Sequence, residues 1–235
     1  MDSISGGAVI ARMLRAEGVE VVFGIIDGSY FGLYASLRDV GIRLVTPRHE
    51  TSAVHMAGAY ARVTGKLGVC IASNGPGAAN ALAGVAVENG EGNRVLLITS
   101  WRRAAIVNPD RGGTYQYFDQ VAAIRPMSKS SEAAESFDRV PELTRRALRR
   151  CRIGRPGVVH LCVPEDIVNG AFPETGLSLS GVLHARATAE LLEVAEALQA
   201  PVTTSWAARD VIDERSELSI PMNLLELNTR VRNDA

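Results

Sequence analysis

Residues 67–80 read LGVCIASNGPGAAN, so an apolar run is followed by a turn rich in glycine and proline and then by small residues. A short apolar run that ends at turn-forming residues is typical of a buried strand. Glycine permits the backbone angles of a tight turn, and proline is common at the first position of a helix. The stretch therefore predicts a strand over Leu67–Ala72 and a helix over Gly75–Asn89, joined by a sharp turn.

The same succession of strand and helix extends to about residue 165. Further strands are predicted at Val19–Phe23, Ile42–Val45, Arg94–Thr99 and Gly157–Val163. Further helices are predicted at Ile4–Ala16, Tyr30–Val40, His49–Thr64 and Phe137–Arg150. Short strands that alternate with helices of about 10–15 residues favour a mainly parallel sheet covered on both faces. We therefore expect an α/β fold of the doubly wound type, with helices on both faces of the sheet.

The regular pattern ends near residue 168. Residues 169–184 contain glycine, serine and proline between unpatterned positions, which indicates a linker. Beyond it, a helix is predicted over Ala187–Gln199 and a strand over Pro201–Ser205, without a further strand–helix pair. A segment of about 50 residues is short for an independent domain. We expect one domain over 1–168, a linker over 169–184 and a short, partial α/β domain over 185–235.

Composition excludes several classes of partner. The formal net charge is −1, which gives no reason to expect nucleic acid or an anionic membrane. No apolar run approaches the roughly 20 residues of a membrane span, and the N-terminus lacks a signal-like pattern, so a cytoplasmic location is expected. The three cysteines lack metal-ligand spacing.

Segments that follow strands are the candidate sites, because open α/β sheets bind ligands at the carboxyl ends of their strands. The first is Thr46–Glu50, directly after one strand and at the start of a helix. A carboxylate in a first helical turn is stabilised by the helix dipole, so Glu50 could be a capping residue. The alternative is a largely buried carboxylate that contacts a heterocyclic ligand.

Two more segments fall at strand ends. In Ser73–Asn80, small residues would let a flat ring approach the backbone, although close helix packing could also require such a turn. The long loop Asp110–Gln120 combines polar and aromatic residues. Loops of this kind often form sites, and an ordinary surface connection is the alternative.

The order and spacing of these segments resemble the pyrimidine-binding, N-terminal domain of thiamine-diphosphate enzymes of the acetolactate synthase and 2-hydroxyacyl-CoA lyase type. The resemblance covers roughly residues 4–168. The matching motifs are Arg48-His49-Glu50, Gly58–Lys66, the turn Gly75–Asn80, the pair Tyr115-Gln116, and Gly154–Val159 followed by Val163–Asp166.

The resemblance implies a role for each matching residue. Glu50 would bond N1′ of the cofactor's aminopyrimidine and so activate the cofactor, and Gln116 would reach the reacting centre. The pyrimidine pocket would be lined by Gly75, Pro76, Gly77 and Asn80. Ser29 and Tyr115 would face the substrate, which would be a 2-keto acid or an acyl-CoA compound.

Departures from the family pattern narrow the reaction. Tyr117 stands where the family often has glutamate, and Ser73 stands where aryl-keto-acid decarboxylases carry histidine. Paired histidines are absent from residues 110–120. Carboligation, or its reverse, C–C bond cleavage, is therefore favoured over decarboxylation that ends in protonation of the product.

The family binds the cofactor's diphosphate through Mg²⁺ on another domain, whose Gly-Asp-Gly signature does not occur in residues 1–235. A middle, Rossmann-like domain binds FAD in some members, and residues 185–235 resemble a shortened start of it. One interpretation is that a partner chain supplies the diphosphate half in a homo- or hetero-oligomer. The other is a truncated, non-catalytic homologue that serves as a binding or interaction domain.

The remaining histidines invite simpler interpretations. His49 could act as an acid or base, or it could orient the turn before Glu50. His55 lies within a predicted helix and is expected to be packed or hydrogen-bonded, and His160 lies within a predicted strand and is expected to be structural.

Overall fold

The structure is a computed structural model that describes residues 3–107, 109, 114–177 and 179, and the strands 202–203 and 219–220. The chain divides into two compact units, 1–182 and 183–235. In the second unit, Val202–Thr203 and Ser219–Ile220 pair in parallel, and the first of these strands lies within the predicted strand 201–205. The predicted helix at 187–199, the rest of the 185–235 prediction and the loop residues 110–113 lie outside the described residues.

Six parallel strands form the sheet of the first unit. They are β2 (Val21–Gly24), β3 (Arg43–Val45), β4 (Gly68–Ala72), β5 (Val95–Thr99), β6 (Ser130–Ala133) and β7 (Val158–Cys162). Their order in the sheet is β3-β2-β4-β5-β7-β6. The helices are α1 (Gly6–Ala16), α2 (Phe31–Asp39), α3 (Glu50–Thr64), α4 (Pro76–Gly90), α5 (Ala104–Val107), α6 (Gln120–Ile124), α7 (Arg139–Arg152) and α8 (Glu165–Asn169).

Alternating side chains of each strand point to opposite faces, and each face is covered by its own helices. Val69 and Ile71 of β4 join a core cluster with residues of α1, α2 and α7. Cys70 and Ala72 join a second cluster with residues of α3 and α4. The doubly wound α/β fold is therefore confirmed, and strands buried on both faces explain why they appear as unbroken apolar runs in the sequence.

Small residues let α3 and α4 pack closely. A Cβ atom added at Gly84 would lie 2.8 Å from Cβ of Val54, which is closer than such atoms approach. At Gly58, an added Cβ would overlap the carboxylate of Glu88. Both helices start at the carboxyl edge of the sheet, so this close packing fixes how their first turns face each other.

Two features differ from the pattern expected from the sequence. The edge strand β6 was not predicted, because its residues are polar and form no apolar run. A second, two-stranded sheet was also not predicted. In it, β8 (Phe172–Pro173) pairs antiparallel with β1 (Ser3–Ile4). Phe172 also stacks on Phe137, with ring centroids 4.2 Å apart. The first residues of the predicted linker, 169–184, therefore pack on the first unit. The other predicted domain limits stay a prediction.

Among the residues that the structure describes, no helix has both the length and the apolar character needed to cross a bilayer.

Candidate functional site

The direction of winding reverses between β2 and β4, which are neighbours in the sheet. From β2 the chain runs to β3 on one side, and it then returns to β4 on the other side. Such a switch point opens a crevice at the carboxyl ends of the strands, where doubly wound proteins bind their ligands. The segments predicted as sites after β3 and β4 begin at this edge of the sheet.

Glu50 is the first residue of α3 and is 9% exposed. His49 caps the helix, since its ring Nδ1 accepts a hydrogen bond from the backbone N–H of Thr51 at 3.2 Å. This contact supports the simpler interpretation of His49, as the residue that orients the turn. Asn80 on α4 donates from Nδ2 to Oε2 of Glu50 at 3.1 Å. The carboxylate is therefore held by a neighbouring helix.

The turn before α4 packs closely beside Glu50. Gly75 has φ of 56° and ψ of −108°, and Pro76 begins the helix. A Cβ atom added at Gly77 would lie 3.2 Å from Oε1 of Glu50 and 2.4 Å from Oγ of Ser73. Glycine at this position therefore lets the turn approach the carboxylate, because any side chain would crowd Ser73. Oε1 of Glu50 thus faces backbone at Gly77 and no side chain of that residue.

Gln116 packs against the same turn from the third segment. Its φ is 59°, in the left-handed region, which costs about 1–2 kcal/mol for a residue with a side chain. A Cβ atom added at Gly75 would lie 2.5 Å from the carbonyl oxygen of Gln116. The turn therefore brings two predicted site residues together, because Gly75 contacts Gln116 and Gly77 faces Glu50.

A cavity of about 410 Å³ lies at this edge of the sheet. Ser29, Asn74 and Gln116 are among its lining residues. Ser29 sits in a 3₁₀ turn over Gly28–Tyr30, and its hydroxyl accepts a hydrogen bond from Ser100 Oγ at 3.1 Å. Two of the predicted substrate-facing and reacting-centre residues, Ser29 and Gln116, thus share one cavity.

Tyr115 does not line this cavity, and it is 77% exposed. A larger cavity, of about 820 Å³, lies farther along the sheet edge and is lined by Trp101, Tyr117 and Arg125 among others. None of the predicted site residues lines the larger cavity. We therefore centre the candidate site on the smaller cavity and on the turn beside Glu50, which are connected through Gln116, since this residue lines the cavity and packs on Gly75.

The sequence interpretation missed several lining residues of the smaller cavity, among them Asn74, Arg102, Arg103 and Glu165. Asn74 is 2% exposed, and its Nδ2 has no hydrogen-bond partner among the described residues. Arg102 and Glu165 form an ion pair with 3.3 Å between Nη1 and Oε2. The available signal was their position, since each residue follows the carboxyl end of a strand.

The histidines outside this site have structural partners, as predicted. His55 Nδ1 lies 2.6 Å from Oε1 of Glu88. His160 is buried between two hydroxyls, with 2.7 Å from Nε2 to Thr99 Oγ1 and 2.7 Å from Nδ1 to Ser131 Oγ. Burial lowers the pKa of His160 to about 3, so the ring is neutral at physiological pH.

No cluster of three or more metal-binding side chains occurs in the part of the chain that the structure describes. The three cysteines are buried and unpaired, and burial raises the pKa of Cys151 and of Cys162 to about 12. Reactive thiolates are therefore not part of the candidate chemistry.

The sequence is similar to those of a known family. The family model for "Thiamine pyrophosphate enzyme, N-terminal TPP binding domain" matches residues 4–123. A probable acetolactate synthase large subunit of Methanocaldococcus jannaschii is 27% identical over 93% of this chain and 43% of its own length. The catabolic acetolactate synthase of Raoultella terrigena is 35% identical over 74% of this chain and 30% of its own. The large subunit of acetolactate synthase isozyme 3 of Escherichia coli is 34% identical over 73% of this chain and 29% of its own length. The chain thus spans less than half the length of these relatives.

Proposed function

The chain belongs to the thiamine pyrophosphate enzymes through their N-terminal TPP-binding domain, and on that premise we propose that residues 1–168 form the pyrimidine half of a cofactor site in an acetolactate-synthase-like enzyme. The reaction would form or cleave a C–C bond of a 2-keto acid or a 2-hydroxyacyl substrate. One observation carries the proposal: the nearly buried carboxylate of Glu50 is held by Asn80 and faces the glycine turn at Gly77.

The chemistry of the residues beside Glu50 suits a flat heterocycle. Gly77 has no side chain, and an oxygen of Glu50 lies beside its backbone, so a ring nitrogen could bond the carboxylate while the ring contacts the turn. Bound thiamine diphosphate supplies the electron sink that makes a C–C bond beside a carbonyl group reactive. The aminopyrimidine part would be held by Glu50, Asn80 and the Gly75–Gly77 turn.

The two oxygens of Glu50 have different surroundings, which suggests different roles. Oε2 accepts the hydrogen bond from Asn80, whereas Oε1 is the oxygen near Gly77. We assign Oε1 to the bond with N1′ of the aminopyrimidine, where it holds or shares a proton. Asn80 is the positioning residue, because its amide fixes the orientation of the carboxylate.

Ser29 and Gln116 would contact the substrate. Both line the smaller cavity, and Gln116 also packs on Gly75 in the turn beside Glu50. This proximity supports a substrate site next to the proposed cofactor site, as a reaction on a cofactor-bound substrate requires.

The diphosphate and Mg²⁺ would be bound outside the described residues, on a further domain or on a partner chain. Val63 on α3 is 85% exposed and Val87 on α4 is 51% exposed. An association surface on this pair of helices stays a prediction, because single exposed apolar side chains are normal on a protein surface. The enzyme would then act as a homo- or hetero-oligomer.

A titration of the chain 1–235 with thiamine and with thiamine diphosphate plus Mg²⁺ tests the proposal. We expect both ligands to shift the backbone amide signals of Glu50, Gly77 and Asn80 in NMR spectra. A charged hydrogen bond of about 1.5–3 kcal/mol and the burial of one ring predict millimolar affinity. The two affinities should agree within about threefold, since the diphosphate would have no partner in this chain.

Glu50→Gln should weaken both titrations, whereas Glu20→Gln, at an exposed carboxylate paired with Lys66, should leave them unchanged. Absence of shifts at Glu50 and Gly77 would contradict the proposed pyrimidine site. A much tighter affinity for the diphosphate form would place a phosphate site on this chain. If a diphosphate-binding partner restores tight binding but no C–C bond is formed from 2-keto acids, the chain is a non-catalytic homologue.

A further inference from the structure

The smaller cavity contains a hydrogen-bond donor that the proposed function does not use. Asn74 lines the cavity with its side chain almost fully buried, and its Nδ2 lacks a partner among the described residues. A buried donor without an acceptor destabilises the folded state, whereas a ligand oxygen in the cavity would satisfy it. The cavity is therefore suited to a ligand that offers a hydrogen-bond acceptor near Asn74.

Two arginines at the end of β5 share one carboxylate in the same cavity. Nη1 of Arg102 lies 3.3 Å from Oε2 of Glu165, and Nε of Arg103 lies 3.2 Å from Oε1. Glu165 is buried, so it can hold both guanidinium groups in place. A guanidinium has five N–H donors, and this ion pair engages one nitrogen of Arg102.

Charge and exposure decide which arginine is suited to a ligand. Glu165 pairs with both guanidinium groups. Asp27 is a second carboxylate that lines the cavity, so the four charged lining residues sum to zero, and its Oδ1 accepts a hydrogen bond from the backbone N–H of Ser29. Arg102 has 30% of its side chain exposed, against 67% for Arg103, so Arg102 is less screened by water.

We propose that Asn74 and Arg102 bind the carboxylate of the 2-keto acid substrate. A planar guanidinium matches a carboxylate in a bidentate arrangement, and the amide of Asn74 supplies a further donor. Glu165 acts as the positioning residue for Arg102. The inference rests on the proposed function, because Ser29 and Gln116, the substrate-facing residues of that proposal, line the same cavity.

Pyruvate and methyl pyruvate are the probes for this inference, since the ester lacks the negative charge. The side-chain amide signals of Asn74 report on the site, and the variant Asn74→Ser identifies them by their absence. We expect pyruvate to shift these signals in the chain 1–235 at millimolar concentration. Methyl pyruvate should produce at most a tenth of the binding, because it cannot form charge-assisted hydrogen bonds.

Variants separate recognition from general charge effects. Arg102→Gln should weaken pyruvate binding about tenfold, because one charge-assisted interaction is lost. Arg103→Gln should have a smaller effect, and Arg43→Gln, at the opposite end of the sheet, should have none. Glu165→Gln should preserve the fold but displace Arg102, so that Arg102→Gln has no further effect in that background.

The inference is wrong if pyruvate leaves the Asn74 signals unchanged, or if Arg102→Gln behaves like Arg43→Gln. Thiamine titrations of the same samples, read at Glu50 and Gly77, test the cofactor site independently. Shifts with thiamine but not with pyruvate would reject the carboxylate site alone. Shifts with pyruvate but not with thiamine would retain an anion site and reject the proposed pyrimidine site.

Discussion

The Nδ2 atom of Asn80 donates a hydrogen bond to Oε2 of Glu50 at 3.1 Å and so links the first turns of two neighbouring helices. A second hydrogen bond, from Oγ1 of Thr51 to the carbonyl oxygen of Asn80, joins the same turns. Because Oε2 is engaged, Oε1 is the oxygen left to face Gly77. The orientation of the carboxylate is thus set within the protein.

Asn80→Asp should destabilise the fold at neutral pH more than Asn80→Ala. Alanine removes one hydrogen bond to a carboxylate at a partly exposed position, for which we expect a loss of about 1 kcal/mol in the free energy of unfolding. Aspartate adds repulsion between two carboxylates. Urea unfolding at pH 7 and pH 4 measures both variants. The difference in stability between Asn80→Asp and Asn80→Ala should be smaller at pH 4 than at pH 7. The same difference at both pH values would contradict the contact with Glu50.

Gly75→Ala should destabilise the fold far more than Gly41→Ala. Both glycines have positive φ, of 56° and 74°, so alanine is strained at either position. At Gly41 the added Cβ meets no atom within 4 Å, whereas at Gly75 it would lie 2.5 Å from a backbone oxygen. We expect a loss of about 1 kcal/mol for Gly41→Ala.

For Gly75→Ala, we expect the loss in free energy of unfolding to exceed that of Gly41→Ala by about 2–3 kcal/mol, because Gln116 must move. Urea unfolding of the two variants measures the difference. Similar losses would mean that Gln116 is not packed on the turn.

The sequence predicts the sheet well wherever a strand is buried on both faces. Such strands are apolar runs bounded by turn residues, and the limits of β4, β5 and β7 fall within one residue of the predicted limits and those of β2 within two. β6 was missed for the opposite reason. Ser131 in that strand is buried, but its hydroxyl bonds His160 and the carbonyl oxygen of Val121, so burial there does not require an apolar residue.

Sequence predicts those candidate site residues that occupy a fixed position in a recognisable motif. Glu50, Gly77 and Asn80 were identified by their motifs, and the structure brings them together because the first turns of α3 and α4 are adjacent. Arg102 and Glu165 come from different strand ends, and their pairing depends on β5 and β7 being neighbours. A single sequence carries no signal for that pairing.

Stability should fall on acidification through His160. Burial lowers its pKa in the folded protein to about 3, and the unfolded chain has the ordinary value of about 6.5. Between these pH values, the unfolded chain binds a proton that the folded protein does not bind. Stability is therefore fully present above pH 6.5 and is lost as the pH falls, by up to about 1.4 kcal/mol per pH unit.

The variant His160→Gln separates this effect from the titration of carboxylates. Between pH 7 and pH 5, the wild-type protein should lose about 2 kcal/mol more in free energy of unfolding than the variant. Urea unfolding at the two pH values measures both. If wild type and variant lose the same amount, His160 does not contribute to acid sensitivity.

Glu50→Gln in the cofactor-loaded enzyme should slow exchange of the cofactor's C2 proton for deuterium by about 10²–10⁴-fold, the usual effect of removing a proton-transfer group. Glutamine keeps the size of the side chain and can still accept the hydrogen bond from Asn80, so the fold should be unchanged. NMR after acid quenching measures the exchange, and circular dichroism checks the fold. Glu20→Gln, at an exposed ion pair, should exchange at the wild-type rate. Asn80→Ala should fall between the two, because it loosens the carboxylate without removing it. An unchanged rate in Glu50→Gln would exclude this carboxylate from cofactor activation, even if thiamine still bound beside Gly77.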